Sequence, residues 1–300
     1  MFFSLSKETE QKIDRLVEKY SGISGFKDTD LWVPGYSFSE GKMIRSFICL
    51  EAGEHSENAV ICSAVIHMIH SASLVLDDIH DEDTVRRNHP SCWVKNGKNQ
   101  AMNIGNYLLS SGINLLLDLD TESGKKVQMC EQCVTCIKRM IHGQMLDLKL
   151  KGNNLLSRDE YMECAELKTG ALFKLSVSLP LILSEVEPEK RIISERVFEK
   201  LGIIFQIFDD LLDLKGFKSG RKKFSDLSME RCNFIRVFGD YRMEYPFNDD
   251  NSVTKGIEKV VDFIRAEIFQ VQEQTEELPL SLRSISNDFI SFIVNHGAVA

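Results

Sequence analysis

Proline is scarce, with 6 in 300 residues, and glycine reaches only 18. So few helix breakers suit long helices. No convincing series of strands appears. No run of 18 or more apolar residues occurs, so a transmembrane segment is not expected. The N-terminus lacks the charged-then-apolar pattern of a secretory signal. Positive charge is also in deficit: 36 Lys and Arg face 45 Asp and Glu, a formal charge of −9. That balance argues against nucleic acid as a partner.

Cysteine is present, but not in a form that demands a metal. Cys130, Cys133 and Cys136 read C-x-x-C-x-x-C, a spacing zinc or an iron–sulfur cluster could use. No Gly or Pro loop surrounds them and no fourth ligand is evident. The simpler reading is three small residues along one helix face. With no secretory signal, the eight cysteines are expected as reduced thiols in a cytoplasmic protein.

The 43% hydrophobic content is enough for a sizeable core. Helical periodicity and capping signals predict helices near 6–20, 42–52, 56–78, 97–118, 123–150, 157–184, 188–214, 252–275 and 280–294. Residues 21–40 read as loop. Residues 215–255 are poor in apolar periodicity and read as a flexible flap. Nothing demands a domain break, so residues 1–300 are expected as one domain, with 1–36 its N-terminal helix and loop.

The chain is organised around Ile66–Arg87, IHMIHSASLVLDDIHDEDTVRR. Asp77, Asp78 and Asp81 fall at i, i+1 and i+4, so they project from one end of one helix face. At ~5 Å and an effective dielectric of ~20, each facing pair of like charges costs about 3 kcal/mol. A cation should relieve that cost, and carboxylate oxygens suit Mg²⁺. The same D-D-x-x-D recurs after a second apolar helix as Asp209, Asp210 and Asp213. Two copies, each ending an apolar helix, are far harder to dismiss as solvated helix ends than one.

Other residues fall in order around the two motifs. Gly41-Lys42-Met43-Ile44-Arg45 puts two cations on one helix face; His70 lies two turns before Asp77; Arg86 and Arg87 follow the first motif. His142–Gln144 reads H-G-Q, Lys168–Phe173 reads K-T-G-A-L-F, and Gln206 stands three residues before Asp209. From Gly41 to Leu227 this order resembles the trans-isoprenyl diphosphate synthases (polyprenyl synthetases), and geranylgeranyl diphosphate synthases above all.

The resemblance implies an all-α fold: a single large helical bundle of the isoprenoid synthase type with a central apolar cavity. It implies a prenyltransferase that condenses isopentenyl diphosphate with an allylic diphosphate, using several Mg²⁺ ions, in a homodimer. Metal binding would fall to Asp77, Asp81 and Asp209, supported by Asp78, Asp210 and Asp213. Arg86, Lys168, Thr169 and Gln206 would hold the allylic diphosphate. Lys222 and Arg231 match the family's flap cations, with Arg221 and Lys223 competing for the first role. Isopentenyl diphosphate would bind Lys42, Arg45, His70 and Arg87. The departing diphosphate serves as the base, so no protein base is named.

Ala72 and Ser73 precede Asp77 by five and four residues, roughly 6–8 Å below the metals at 1.5 Å per residue. Family members making farnesyl diphosphate carry a bulky aromatic there. The small residues here, with Ile69 as the next layer, predict a longer product, geranylgeranyl diphosphate. Ser46, Asn88 and Asn106 depart from the family's usual Pro, Gly and Asp. A class I terpene cyclase would need no isopentenyl site, and a non-catalytic subunit would be expected to lose an aspartate motif. A di-iron bundle would want Glu-x-x-His pairs, which neither aspartate segment supplies.

Overall fold

The computed structural model describes residues 5–21, 43–152, 156–184, 186–216, 231–238 and 250–296. The described residues are almost entirely helical. In order come α1 (Lys7–Ser21), α2 (Ile44–Ala52), α3 (Glu57–His80), a two-residue antiparallel pair β1 (Val85–Arg86) and β2 (His89–Pro90), α4 (Cys92–Asn96), α5 (Lys98–Leu117) and α6 (Ser123–Leu150). Then follow α7 (Arg158–Ala165), a π-turn (Glu166–Gly170), α8 (Ala171–Leu183), α9 (Pro188–Lys215), a 3₁₀ turn (Phe234–Phe238), α10 (Asp250–Thr275) and α11 (Leu280–His296).

Local chemistry fixes several of these boundaries. Ser56 caps α3 by accepting from the Ala59 amide at 3.2 Å. Ser157 and Glu160 form a reciprocal capping box that starts α7. The predicted helix over 157–184 is present as one continuous helical run of α7, the π-turn and α8. A π-turn inserts one residue into the helical ladder and re-aims the side chains beside it, which periodicity does not register. The small hairpin was not predicted either, because two paired residues per strand leave no alternating pattern.

Compact packing divides the chain into two units. The first comprises Met1–Lys138 and Leu175–Glu195. Its centre is α3, whose Val65, Ile66, Met68, Ile69 and Ala72 are fully buried. By length and composition α3 is apolar enough to cross a bilayer, but 72% of the relevant window is buried within the protein, as for a core helix. Between α2 and α3, Ser46 donates to the Ser63 carbonyl at 3.2 Å and Ser63 to the Ser46 carbonyl at 3.0 Å. This reciprocal pair gives Ser46, the residue standing in place of the family's proline, a structural role.

The second unit comprises Arg139–Lys174 and Arg196–Ala300. Phe173, Phe205 and Phe289 meet with ring centroids 5.6–5.8 Å apart, an aromatic core joining α8, α9 and α11. Lys42, Arg221, Lys222 and Lys223 lie outside the described residues, as does most of the predicted flap.

Candidate active site

In the first unit, α3 ends in the first aspartate motif. Asp81 closes the helix, its amide donating to the Asp77 carbonyl at 2.8 Å. The three carboxylates are not equivalent. Asp78 is fully buried, and the Arg86 Nε donates to both its oxygens, at 3.0 and 3.2 Å, while Nη2 adds a further contact to Oδ1. Such a forked pair neutralises a buried charge that would otherwise be costly. Asp77 and Asp81, one turn apart on a shared face, stay half-exposed.

That division fits Mg²⁺. The ion takes one or two carboxylates and fills its remaining positions with water and substrate phosphate. Asp77 and Asp81 offer a partial set of hard oxygen donors. Among the described residues no three His, Cys, Asp or Glu side chains gather into a closed metal cage. Cys130, Cys133 and Cys136 run along α6 as free thiols, and burial pushes the Cys133 thiol well up, opposite to what a metal-bound thiolate needs.

The hairpin after the motif turns at Arg87 and Asn88, with φ of 49° and 64°. Both sit in the left-handed region that two-residue hairpin turns require. Asn is among the few non-glycine residues that adopt it, which accounts for Asn88 where the family has glycine. Nearby, Arg45 Nη1 lies 3.4 Å from His70 Nε2. Burial, followed by the Arg45 and Arg87 charges, lowers the His70 pKa well below its ordinary value. His70 is therefore neutral at pH 7, and with Arg45 as donor its Nε2 is the acceptor.

Ala72 is fully buried among Val75, Ile104 and Leu108. Ile69 is buried as well, facing Gly112 of α5, where a built Cβ would lie 3.7 Å from it. Ser73 is half-buried and donates to the His70 carbonyl at 2.8 Å.

In the second unit, α9 carries the second motif with the same inequality. Asp209 is half-exposed while Asp210 and Asp213 are buried. Asp210 accepts from the Tyr161 hydroxyl at 2.7 Å, the Phe234 amide at 2.9 Å and Gln206 Nε2 at 3.1 Å. Burial and the Asp210 charge push the Tyr161 hydroxyl pKa well up. Asp210 thus ties α7 and the Arg231–Phe238 segment to α9, and Arg231 enters that segment half-buried.

Lys168 and Thr169 lie in the π-turn. Lys168 Nζ donates to Asp147 at 2.7 Å, and Thr169 donates to Gln206 Oε1 at 2.7 Å. The turn is held closely from both sides. A Cβ on Gly143 of α6 would fall 2.6 Å from the Lys168 amide nitrogen, and one on Gly202 of α9 would fall 2.9 Å from the Gly170 Cα. Only glycine permits that backbone approach. Arg139, one turn before Gly143, bridges Glu166 at 2.7 Å and Glu199 at 2.5 Å.

Arg139, Asp147 and Tyr161 were missed by sequence reasoning. Arg139, Gly143 and Asp147 follow one another at i, i+4 and i+8, a single stripe along α6. That spacing surrounds the H-G-Q motif and was the available signal.

A sequence profile of the polyprenyl synthetase family matches residues 33–245. The chain belongs to this family. It is 30% identical over 242 residues to a hexaprenyl pyrophosphate synthase of Saccharolobus solfataricus, covering 79% of each chain. Two solved structures share the fold. Polyprenyl synthase from Caulobacter crescentus, complexed with calcium and isoprenyl diphosphate, has a TM-score of 0.79 at 16% identity, covering 97% of this chain and 96% of that one. A geranyltransferase from Helicobacter pylori, complexed with magnesium and isoprenyl diphosphate, has a TM-score of 0.71 at 21% identity, covering 97% and 99%.

The fold is thus the all-α isoprenoid synthase fold and the class is trans-prenyl diphosphate synthase. Kinship leaves product length open. Relatives of 25–31% identity make products named geranylgeranyl, geranylfarnesyl and farnesyl diphosphate.

Proposed function

We propose that this protein is a Mg²⁺-dependent prenyltransferase that extends a short allylic diphosphate with isopentenyl diphosphate, geranylgeranyl diphosphate being the favoured product. The observation that carries the reading is the division of labour within each aspartate motif. Asp78 in the first motif and Asp210 in the second are buried and held by the protein's own donors, while Asp77, Asp81 and Asp209 stay half-exposed. Asp77, Asp81 and Asp209 would hold Mg²⁺, which would supply neutralising charge to the leaving diphosphate.

Lys168 and Thr169 bind the allylic diphosphate from a turn that Gly143, Gly202 and Arg139 hold in place, so its orientation is set before reaction. Gln206 fixes Thr169. Arg86, whose guanidinium neutralises Asp78, is a further allylic-diphosphate ligand in this reading. Arg45, Arg87 and neutral His70, with Lys42, bind isopentenyl diphosphate. The allylic C–O bond breaks and its electron pair leaves on diphosphate. The isopentenyl double bond attacks the allylic carbon to form the new C–C bond, and the proton it then sheds goes to the departing diphosphate. Small side chains at Ala72 and Ser73, above Ile69, support a chain that passes the farnesyl length.

A homodimer is supported by α6. Val127, Val134, Ile141 and Leu148, each seven residues apart, are 57%, 51%, 44% and 39% exposed when ordered as Val127, Ile141, Val134 and Leu148, and Met145 is 64% exposed. An apolar stripe of that length on a single helix needs cover. The eight free thiols fit a cytoplasmic setting.

The test is direct. Purified protein is incubated with Mg²⁺, isopentenyl diphosphate and dimethylallyl, geranyl or farnesyl diphosphate, and dephosphorylated products are identified by mass. Geranylgeraniol is expected. A cyclic hydrocarbon formed from the allylic diphosphate alone would instead identify a terpene cyclase.

A further inference from the structure

The H-G-Q motif contains a side chain with no assigned role. Gln144 is only 8% exposed, yet its carboxamide nitrogen and oxygen are both buried without a hydrogen-bond partner. Buried amides are almost always paired, and an unpaired one destabilises the fold. Such a group persists where a ligand supplies the missing partner.

Its surroundings indicate which ligand. Gln144 follows Gly143, whose α-carbon packs against the Lys168 amide, and precedes by three residues Asp147, which holds the Lys168 ammonium at 2.7 Å. Residues three apart on a helix stack on one face. The unpaired carboxamide therefore stands one turn from the ion pair that poises Lys168. Gly143 and Gln144 are buried on α6, while His142 and Met145 on either side of them are exposed.

We propose that Gln144 is a further catalytic residue, its carboxamide N–H donating to the allylic diphosphate beside Lys168. This rests on the prenyltransferase reading above. An anion arriving there takes the donor that the protein itself leaves unpaired.

The test is Gln144→Met, which keeps length and removes both polar atoms, with Gln144→Glu as a second variant that keeps shape and adds repulsion. Thermal melting and steady-state kinetics are measured for each full-length protein. For Gln144→Met, KM for the allylic diphosphate is expected to rise about tenfold or more, the range of a hydrogen bond to a charged group, with KM for isopentenyl diphosphate within twofold. Its melting temperature is expected to hold or rise, because no internal partner is lost. Gln144→Glu should weaken allylic binding further. A lowered melting temperature with unchanged KM would make Gln144 structural and overturn the assignment, as would a fall in kcat alone. Wild-type protein that makes no prenyl product would remove the parent reading instead, and this contact with it.

Discussion

The Tyr161 hydroxyl donates to Asp210 at 2.7 Å from 49 positions away in sequence, and the Phe234 amide donates to the same oxygen at 2.9 Å. The second carboxylate of the second motif is consequently an anchor rather than an open ligand. Tyr161→Phe should cost about 1–2 kcal/mol of stability. Asp210→Ala should cost more, because it strands two buried donors. Chemical denaturation of both variants checks the order, and equal stability to wild type in both would remove the anchor.

Asp209→Ala should behave in the opposite way. Its side chain is half-exposed, so the fold should survive while turnover falls by several orders of magnitude, and Asp77→Ala should do the same. Removing Mg²⁺ with EDTA should abolish turnover of the wild type, with recovery on adding the ion back. Circular dichroism and product assays on the same preparations separate folding from catalysis.

Chain length should respond differently at the two small residues above the motif. Ser73 is half-buried and Ala72 wholly buried. Ser73→Phe should shorten the product toward farnesyl diphosphate with little loss of stability. Ala72→Phe should shorten it too, at a cost of about 1–3 kcal/mol from overpacking against Ile104 and Leu108. Mass analysis of products reads the change, and unaltered length in both would discard the pocket assignment.

His70 makes stability depend on pH in a fixed direction. Its pKa in the folded protein is lowered, chiefly by burial, so the unfolded chain binds the proton more readily. The contribution is complete above the ordinary histidine value and is lost as pH falls below it toward the folded one. Melting temperature should therefore drop between about pH 7.5 and pH 5.5, and drop less in His70→Asn. A parallel pH dependence in both proteins would contradict this.

Helices and the two acidic motifs were legible in the sequence because each is written in spacings of three or four residues. Periodicity placed α3, α5, α6, α9 and α11 within a few residues of their ends. The π-turn was not legible, since one inserted residue leaves the apolar pattern almost unchanged. Nor was the hairpin, although Asn88 in place of glycine already carried its left-handed signature.

The sequence alone determined which residues carry charge at the helix ends, and its resemblance to the polyprenyl synthetases implied the class of chemistry. Tertiary structure decided what each charge is for. Asp77 and Asp78 are neighbours of identical chemistry, yet Asp78 is buried against Arg86 while Asp77 keeps contact with solvent. Asp209 and Asp210 divide in the same way. Burial and partner geometry depend on residues far off in the chain, and only the folded packing brings Arg86, Tyr161 or Phe234 to one carboxylate and not to the next.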